Sequence, residues 1–216
     1  MNLTKLFEIQ KTLDDRIMKE HGLEGQDLLN KKILALQVEL GELANEWRGF
    51  KFWSKDQRPR VEDWIECSTC NGTGDLNYEK VQEDAEGSGN HEYIDCEECD
   101  CAGTVGVRNP LLEEYVDCLH FILSIGLDLE FGNYPMIGSS PETKTVSDMF
   151  LVTFETINMF YRAYFSGNED LTEIKYTIVF DTFITLGEML GFTTEQIEQA
   201  YLDKNKINHE RQNNDY

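Results

Sequence analysis

The chain has 216 residues, of which 40% are hydrophobic, 28% charged and only four proline, a composition that suits one globular domain with a small insert and excludes wholesale disorder. Nineteen basic residues against 41 acidic ones leave a formal net charge of −22, which repels nucleic acid and requires a divalent cation to bridge the protein to any polyphosphate. No run of about 18 apolar residues is present and the start, Met1-Asn2-Leu3-Thr4-Lys5, has no basic-then-apolar leader, so no membrane partner and a cytoplasmic location are expected.

Leu3, Leu6, Leu13 and Ile17 recur at helical spacing and predict a first helix over residues 2–20, broken by Gly22 and Gly25. A second is predicted over 26–47 from the stripe Leu29, Ile33, Leu36, Leu40, Leu43 and Trp47. Leu34, Ala35 and Val38 make it apolar on further sides, which places it inside a bundle. Residues 54–109 lose the helical period and hold five of the six cysteines. Pro110 opens a third helix, carried by Leu112, Tyr115, Leu119 and Ile122 to about residue 129, before a loop containing Gly132, Asn133, Pro135 and Pro141. A fourth helix is predicted over 143–165, a fifth over 169–190 with Gly191 as its cap, and a sixth from Thr193 or Thr194 toward Asn208, leaving His209 to Tyr216 as a polar tail. No strand run appears outside the cysteine segment, and no internal repeat at a fixed period. The expected fold is all-α: a bundle of about six helices formed by residues 1–54 and 109–216, with a small cysteine-rich zinc-binding insert, 55–108, between the second and third helices.

The second helix carries Glu39, Glu42 and Glu46, which fall at about −80°, −140° and −100° from Leu29 on the helical wheel, one acidic flank beside the apolar stripe. The third carries Glu114 and Asp117 at the same three-residue spacing, with His120 one step on. Two helices that each present such a pair can nest hard oxygen ligands of the kind Mg²⁺ takes. Without Glu-x-x-His on two helices, Mg²⁺ is favoured over a di-iron centre. The plainer reading is two solvated acidic faces, since such pairs are common on helix surfaces.

The run Lys32 to Ser54, including Glu39-Leu40-Gly41-Glu42 and Arg48-Gly49-Phe50-Lys51-Phe52-Trp53, resembles the all-α dimeric dUTPases. So do Leu112 to Phe121 and the tail with Lys204, Asn208, Arg211 and Tyr216. The likeness covers most of the chain apart from residues 55–108. These enzymes stand with the MazG-like nucleotide pyrophosphatases and occur in kinetoplastids, some bacteria and many phages, so a phage-encoded protein acting in a host cytoplasm fits the resemblance. The resemblance implies that Glu39, Glu42, Glu114 and Asp117 hold two or more Mg²⁺ ions, with Glu42 orienting the attacking water. It implies that Gln10 and Asp14 line the uracil pocket, Asp14 standing where Asn is expected. It further implies that Trp53 packs on the nucleoside near His120, that Asn208 helps read the base, and that Lys204, Arg211 and Tyr216 grip phosphates. The implied reaction converts dUTP, and also dUDP, to dUMP by attack of activated water on the phosphate chain, in an obligate homodimer. Taken alone, Trp53 reads equally as a bundle-edge aromatic and His120 as a satisfied core histidine. Lys204 and Arg211 also fit as complements to a helix dipole, with an idle C-terminus after them.

In the insert, Cys67-Ser68-Thr69-Cys70 and Cys96-Glu97-Glu98-Cys99 are two CxxC knuckles separated by 25 residues, spacing that suits a structural Zn²⁺ held by four thiolates. Cys70-Asn71-Gly72-Thr73-Gly74 resembles the CxxCxGxG knuckle of the DnaJ zinc region. The second copy has Cys101 where glycine belongs, and Cys101 is an alternative ligand to Cys99, with His91 a weaker substitute; a redox dithiol is the competing reading. Residues 62–100 hold 13 acids and one base, Lys80, a net −12 that excludes a nucleic-acid finger. The insert is read as extending a dimer interface, covering the active site, binding a protein partner, or simply as a tolerated surface insertion. Cys118 is expected to be a small core residue. Two alternatives to the dUTPase reading stay open: a MazG-like pyrophosphatase for another nucleotide such as dCTP, and a catalytically silent partner-binding module.

Overall fold

A computed structural model of the chain describes residues 1–78, 93–131 and 144–213. Tyr216, His91 and the loop around residues 132–141 lie outside them. The chain divides into two compact units, Met1–Pro59 with Leu111–Tyr216, and Arg60–Pro110.

The larger unit is all-α. Its described helices are α1 (Leu3–Glu20), α2 (Leu29–Trp47), α3 (Pro110–Asp128), α4 (Val146–Phe165), α5 (Glu169–Met189) and α6 (Thr194–Asn213). Local chemistry sets where they begin. The Asn2, Thr145 and Asn168 side chains accept the Lys5, Asp148 and Leu171 N–H groups, which have no intrahelical partner. Thr193 and Gln196 make a reciprocal capping box, with N–H to side-chain oxygen distances of 3.2 and 2.9 Å. The Asp27 carboxylate takes the Leu29 N–H at 3.1 Å, so α2 starts at Leu29 rather than at residue 26.

The predicted stripe of α2 is the core: Leu29, Ile33, Leu36, Leu40 and Leu43 are all buried. α3 is the innermost helix, with Leu111, Tyr115, Val116, Cys118, Leu119, Ile122, Leu123 and Ile125 buried. Each large side chain so buried contributes roughly 1.5–3 kcal/mol. α4 packs along α5, α1 against α6, and α2 against α4. The expectation that α2 lies wholly inside the bundle is corrected, because Leu34 and Val38 are 62% and 51% exposed. A helix at the side of a small bundle has only one stripe to give the core. The C-terminus departs too: α6 continues through His209 to Asn213, where a tail was expected. Its last turns dock on α1, with Arg16 donating to the His209 carbonyl at 2.8 Å and to Asn213 Oδ1 at 2.7 Å.

The smaller unit is built from two knuckles and a hairpin. β1 (Asp63–Glu66) pairs antiparallel with β2 (Thr104–Arg108), Trp64 opposite Val107, with an irregularity at Ile65/Glu66. The knuckles repeat each other 29 residues apart (67 to 96, 70 to 99, 74 to 103). Cys67 N–H donates to the Gly103 carbonyl at 2.9 Å, and Cys96 N–H to the Gly74 carbonyl at 3.1 Å. A Cβ at Gly74 or Gly103 would fall 2.4 or 2.3 Å from a carbonyl oxygen of the other knuckle, so this close reciprocal approach requires glycine.

A second internal correspondence joins α3 to α5, 61 positions apart (115 to 176, 122 to 183, 126 to 187), although neither shows as a fixed-period repeat. Tyr115 donates to the Phe183 carbonyl at 3.2 Å, and Tyr176 to the Ile122 carbonyl at 2.9 Å. Each hydroxyl lies where the glycine one turn on leaves room. A Cβ on Gly187 would meet Tyr115 Oη at 2.4 Å, and one on Gly126 would meet Tyr176 Oη at 2.2 Å. Gly126→Ala is therefore expected to destabilise the protein by about 1–3 kcal/mol. In denaturant titrations, combining it with Tyr176→Phe, which removes the colliding oxygen, should cost less than the sum of the two single changes.

Candidate active site

Glu39 and Glu42 of α2 and Glu114 of α3 each bring a carboxylate oxygen within 4.8 Å of the other two. They stand one helical turn apart on the flank beside Leu40 and Leu43, whose burial sets that flank against α3. Asp117 adjoins the cluster and is held by Lys204 of α6, with Nζ 2.5 Å from Oδ2. Burial and then the charges of Asp117, Glu39 and Glu42 push Glu114 up to about 7. Glu39 is raised by burial and by Asp117 and Glu42. Hard oxygen donors packed against their own repulsion are the donor set a divalent cation stabilises, so the residues fit Mg²⁺.

Next to the acids lies a cavity of about 320 Å³, lined by Gln10, Leu13, Asp14 and Ile17 of α1, Glu39 of α2, Asp117, His120, Phe121 and Ser124 of α3, and Asn208 and Arg211 of α6. One end of it is carboxylate and the other is a polar network. Gln10 donates to Asp14 Oδ1 at 2.7 Å and accepts from the Tyr201 hydroxyl at 2.7 Å, while its Oε1 also lies 2.7 Å from His120 Nδ1. Ser124 donates to Asp14 Oδ2 at 2.6 Å. Burial raises Asp14, opposed by Ser124, Lys32 and Gln10. Burial drives His120 down to about 3, so its imidazole is neutral. A larger cleft of about 810 Å³ also touches Asp14 but is lined by mixed charges such as Lys11, Lys19, Asp27 and Asp128 and by none of the clustered carboxylates.

The structure thus gathers Glu39, Asp117, Gln10, Asp14, His120, Asn208 and Arg211 around one cavity, with Glu42, Glu114 and Lys204 at its acidic end. It does not bring in Trp53, which is 66% exposed and meets only Phe50 and Phe52 edge-on, at 5.8 and 4.9 Å, among the described ring contacts. Tyr201 and Ser124 were not singled out from sequence. Tyr201 does share a face of α6 with Asn208, seven residues on, and that spacing was the available signal.

Glu114 implies a sign for pH dependence. A carboxyl raised from 4.5 to about 7 in the folded protein favours folding below pH 4.5, and that contribution is lost as pH rises to about 7. In metal-free protein, the stability advantage of Glu114→Gln over wild type should therefore grow across this window in thermal melts, and added Mg²⁺ should diminish it.

In the smaller unit the Sγ atoms of Cys67, Cys70, Cys96 and Cys99 also lie within 4.8 Å of one another, and all four cysteines are buried. Cys67 and Cys96 sulfurs are 3.7 Å apart, as are those of Cys70 and Cys99. The Gly74 and Gly103 N–H groups donate to Cys70 and Cys99 Sγ at 3.1 and 3.3 Å. Burial works against ionisation, yet the Gly74 N–H and neighbouring thiols bring Cys70 down to about 7, while burial pushes Cys96 up to about 12. Four convergent sulfurs with N–H donors behind them fit a tetrahedral thiophilic ion. Cys101 is not among the four: it occupies the place of Gly72 in the second knuckle, with φ +60°. Released zinc measured with a chromogenic chelator should be one per chain for wild type and Cys101→Ser, and should fall sharply for Cys99→Ser.

Cys118 is buried beneath the acid cluster, its thiol raised by burial and by Glu39, Asp117 and Glu114. No helix among the described residues is long and apolar enough to cross a membrane. No curated protein and no solved structure matches the chain. A family model described as dUTPase matches residues 2–67 and 106–216, leaving out only the stretch that carries most of the cysteine knuckles. The chain belongs to the all-α dUTPase family.

Proposed function

We propose that this protein is a Mg²⁺-dependent dUTP diphosphatase that also accepts dUDP, releasing dUMP. The observation that carries the reading is the convergence of Glu39, Glu42 and Glu114 at one end of a cavity whose other end is the Gln10–His120 network. A nucleotide laid along this cavity would place its phosphates by the acids and its base by the network. Glu39, Glu42, Glu114 and Asp117 would hold two or more Mg²⁺ ions, which supply charge neutralisation for the phosphate chain and make a water molecule more acidic. Glu42, the exposed member of the cluster, orients the attacking water. Lys204, which sits against Asp117, and Arg211 offer positive charge to the phosphates, with Tyr216 joining them. Trp53 would have to move in against the nucleoside.

The protein is read as a cytoplasmic homodimer. Leu34 and Val38 on α2 and Leu151 and Met159 on α4, two helices packed together, are exposed and supply apolar surface for a second copy. The smaller unit is read as held folded by a structural Zn²⁺ on Cys67, Cys70, Cys96 and Cys99, because about 50 residues bury too little apolar surface to fold unaided. A protein partner is the role assigned to its surface.

The test is a panel of dUTP, dUDP, dCTP, dTTP and UTP, with and without Mg²⁺, read as monophosphate and pyrophosphate release. Mg²⁺-dependent formation of dUMP from dUTP is expected, falling at least about 10²-fold in Glu42→Gln. Turnover of dCTP in preference to dUTP would indicate the other nucleotide pyrophosphatase reading. No turnover by folded, zinc-loaded protein would leave a binding module.

A further inference from the structure

Among the described residues, the hairpin of the smaller unit has no apolar layer packed on either face. Trp64 and Val107 stand directly opposite each other across the two strands, so their side chains share one face. They are 65% and 49% exposed, and Ile65, on the other face, is 42% exposed. An antiparallel sheet ordinarily packs one face on a core. Here the buried apolar cluster of the unit is Cys67, Cys70, Cys96 and Cys99 alone, so Trp64, Val107 and the neighbouring Val105 are left in water. Free negative charge borders this apolar face. Glu62 immediately precedes β1 and Glu66 closes it, on the same face as Trp64, and both are exposed. Asp63 is paired with Arg108 at 2.6 Å, whereas Glu62 and Glu66 have no ion pair among the described residues.

The charge of the whole chain narrows what can cover that face. From Arg60 to Pro110 the sequence has 13 acids against three bases, Arg60, Lys80 and Arg108, a net −10, and the rest of the chain carries the remaining −12 of its −22. A second copy therefore brings a net like charge, nucleic acid and anionic lipid are repelled, and the complement is a surface both cationic and apolar. We infer that the Trp64–Val107 face of the smaller unit is a docking surface for a basic, aliphatic-rich segment of another protein. The inference rests on the partner-binding reading of the smaller unit, supplies the chemistry of that partner, and is independent of the hydrolase reading. Aliphatic side chains of the segment cover Trp64, Val105 and Val107. Its arginine or lysine side chains lie over the Trp64 indole, where cation–π attraction acts, and reach the carboxylates of Glu62 and Glu66. The apolar contact supplies affinity, and the acids supply orientation and a faster encounter, so recognition needs both.

The test titrates the full, zinc-loaded chain into a short fluorescein-labelled peptide of alternating arginine and valine, read by anisotropy. Two further peptides, alternating glutamate with valine and arginine with glycine, separate charge from apolar contact. Saturable binding of the arginine–valine peptide is expected, weakening as salt is added. Affinity should fall about 10-fold in Trp64→Ala, about as much in Glu62→Gln/Glu66→Gln, and likewise for the arginine–glycine peptide on wild-type protein. All three side chains are exposed, so the variants should keep the wild-type zinc content, and that measurement shows the unit to be folded in each. Unchanged binding of the arginine–valine peptide by Trp64→Ala would overturn the inference, since only diffuse charge would then be acting. Equal or tighter binding of the glutamate–valine peptide, lost in Trp64→Ala, would overturn the basic chemistry and leave the partner-binding reading standing. Two other occupants are outcomes of the same protein: a Trp64-dependent blue shift of tryptophan fluorescence on neutral phosphatidylcholine vesicles, or self-association in sedimentation that Trp64→Ala abolishes. Either result without binding of the arginine–valine peptide would overturn the inference in favour of lipid or of a second copy. If no peptide, vesicle or second copy engages Trp64, the inference and the partner-binding reading fall together.

Discussion

Three carboxylates crowded within 4.8 Å repel one another, and the rest of the helical unit is arranged to hold them there. The force comes from the apolar stripe of α2, whose buried Leu40 and Leu43 alternate with Glu39 and Glu42, and from α3, buried along nearly its whole length. Neither helix can rotate to relieve the crowding without lifting several leucines into water. The reciprocal Tyr115–Gly187 and Tyr176–Gly126 contacts lock α3 against α5 at close range, so the acid-bearing helix is also fixed from behind. The crowding appears as raised carboxyl pKa values for Glu39 and Glu114 instead of as movement.

α6 ties the two ends of the cavity together. Tyr201 reaches the polar end through Gln10, Lys204 reaches the acid end through Asp117, and Asn208 and Arg211 line the cavity as well. Its last turns are pinned to α1 by Arg16. A single helix therefore connects the Gln10–His120 network to the charge balance of the acids, and it does so from a part of the chain far in sequence from α1 and α2.

The smaller unit solves a different problem with the same economy. It has few apolar residues to bury, and its knuckles exchange backbone hydrogen bonds at a distance only glycine allows, which brings four sulfurs to one point. Where the second knuckle carries Cys101 in place of glycine, the backbone still takes positive φ, because the reciprocal pairing dictates the turn. Its many carboxylates point to charge as the property its surface offers.

Much of this was legible from spacing alone. The apolar stripe of α2, the acid pairs at three-residue intervals, the two CxxC knuckles and the capping signals of Thr193 and Gln196 are local patterns, and a helix or turn converts sequence distance into spatial distance by a fixed geometry. The likeness to the dUTPases, visible in residues such as Arg48 to Trp53 and Lys204 to Arg211, agrees with the family match. What sequence could not show depends on how helices far apart in the chain face one another. That Asp117 is held by Lys204, that α6 continues to Asn213, and that Cys99 rather than Cys101 joins the sulfur cluster are outcomes of packing. The same is true of Gln10, which the resemblance to the dUTPases places in the uracil pocket and whose side chain is engaged by Tyr201, His120 and Asp14. The order of residues determined which chemical groups are present and on which faces; only the tertiary structure decided which of their donors and acceptors remain unpaired, because hydrogen bonds between helices are set by three-dimensional proximity and each lone pair can be used once.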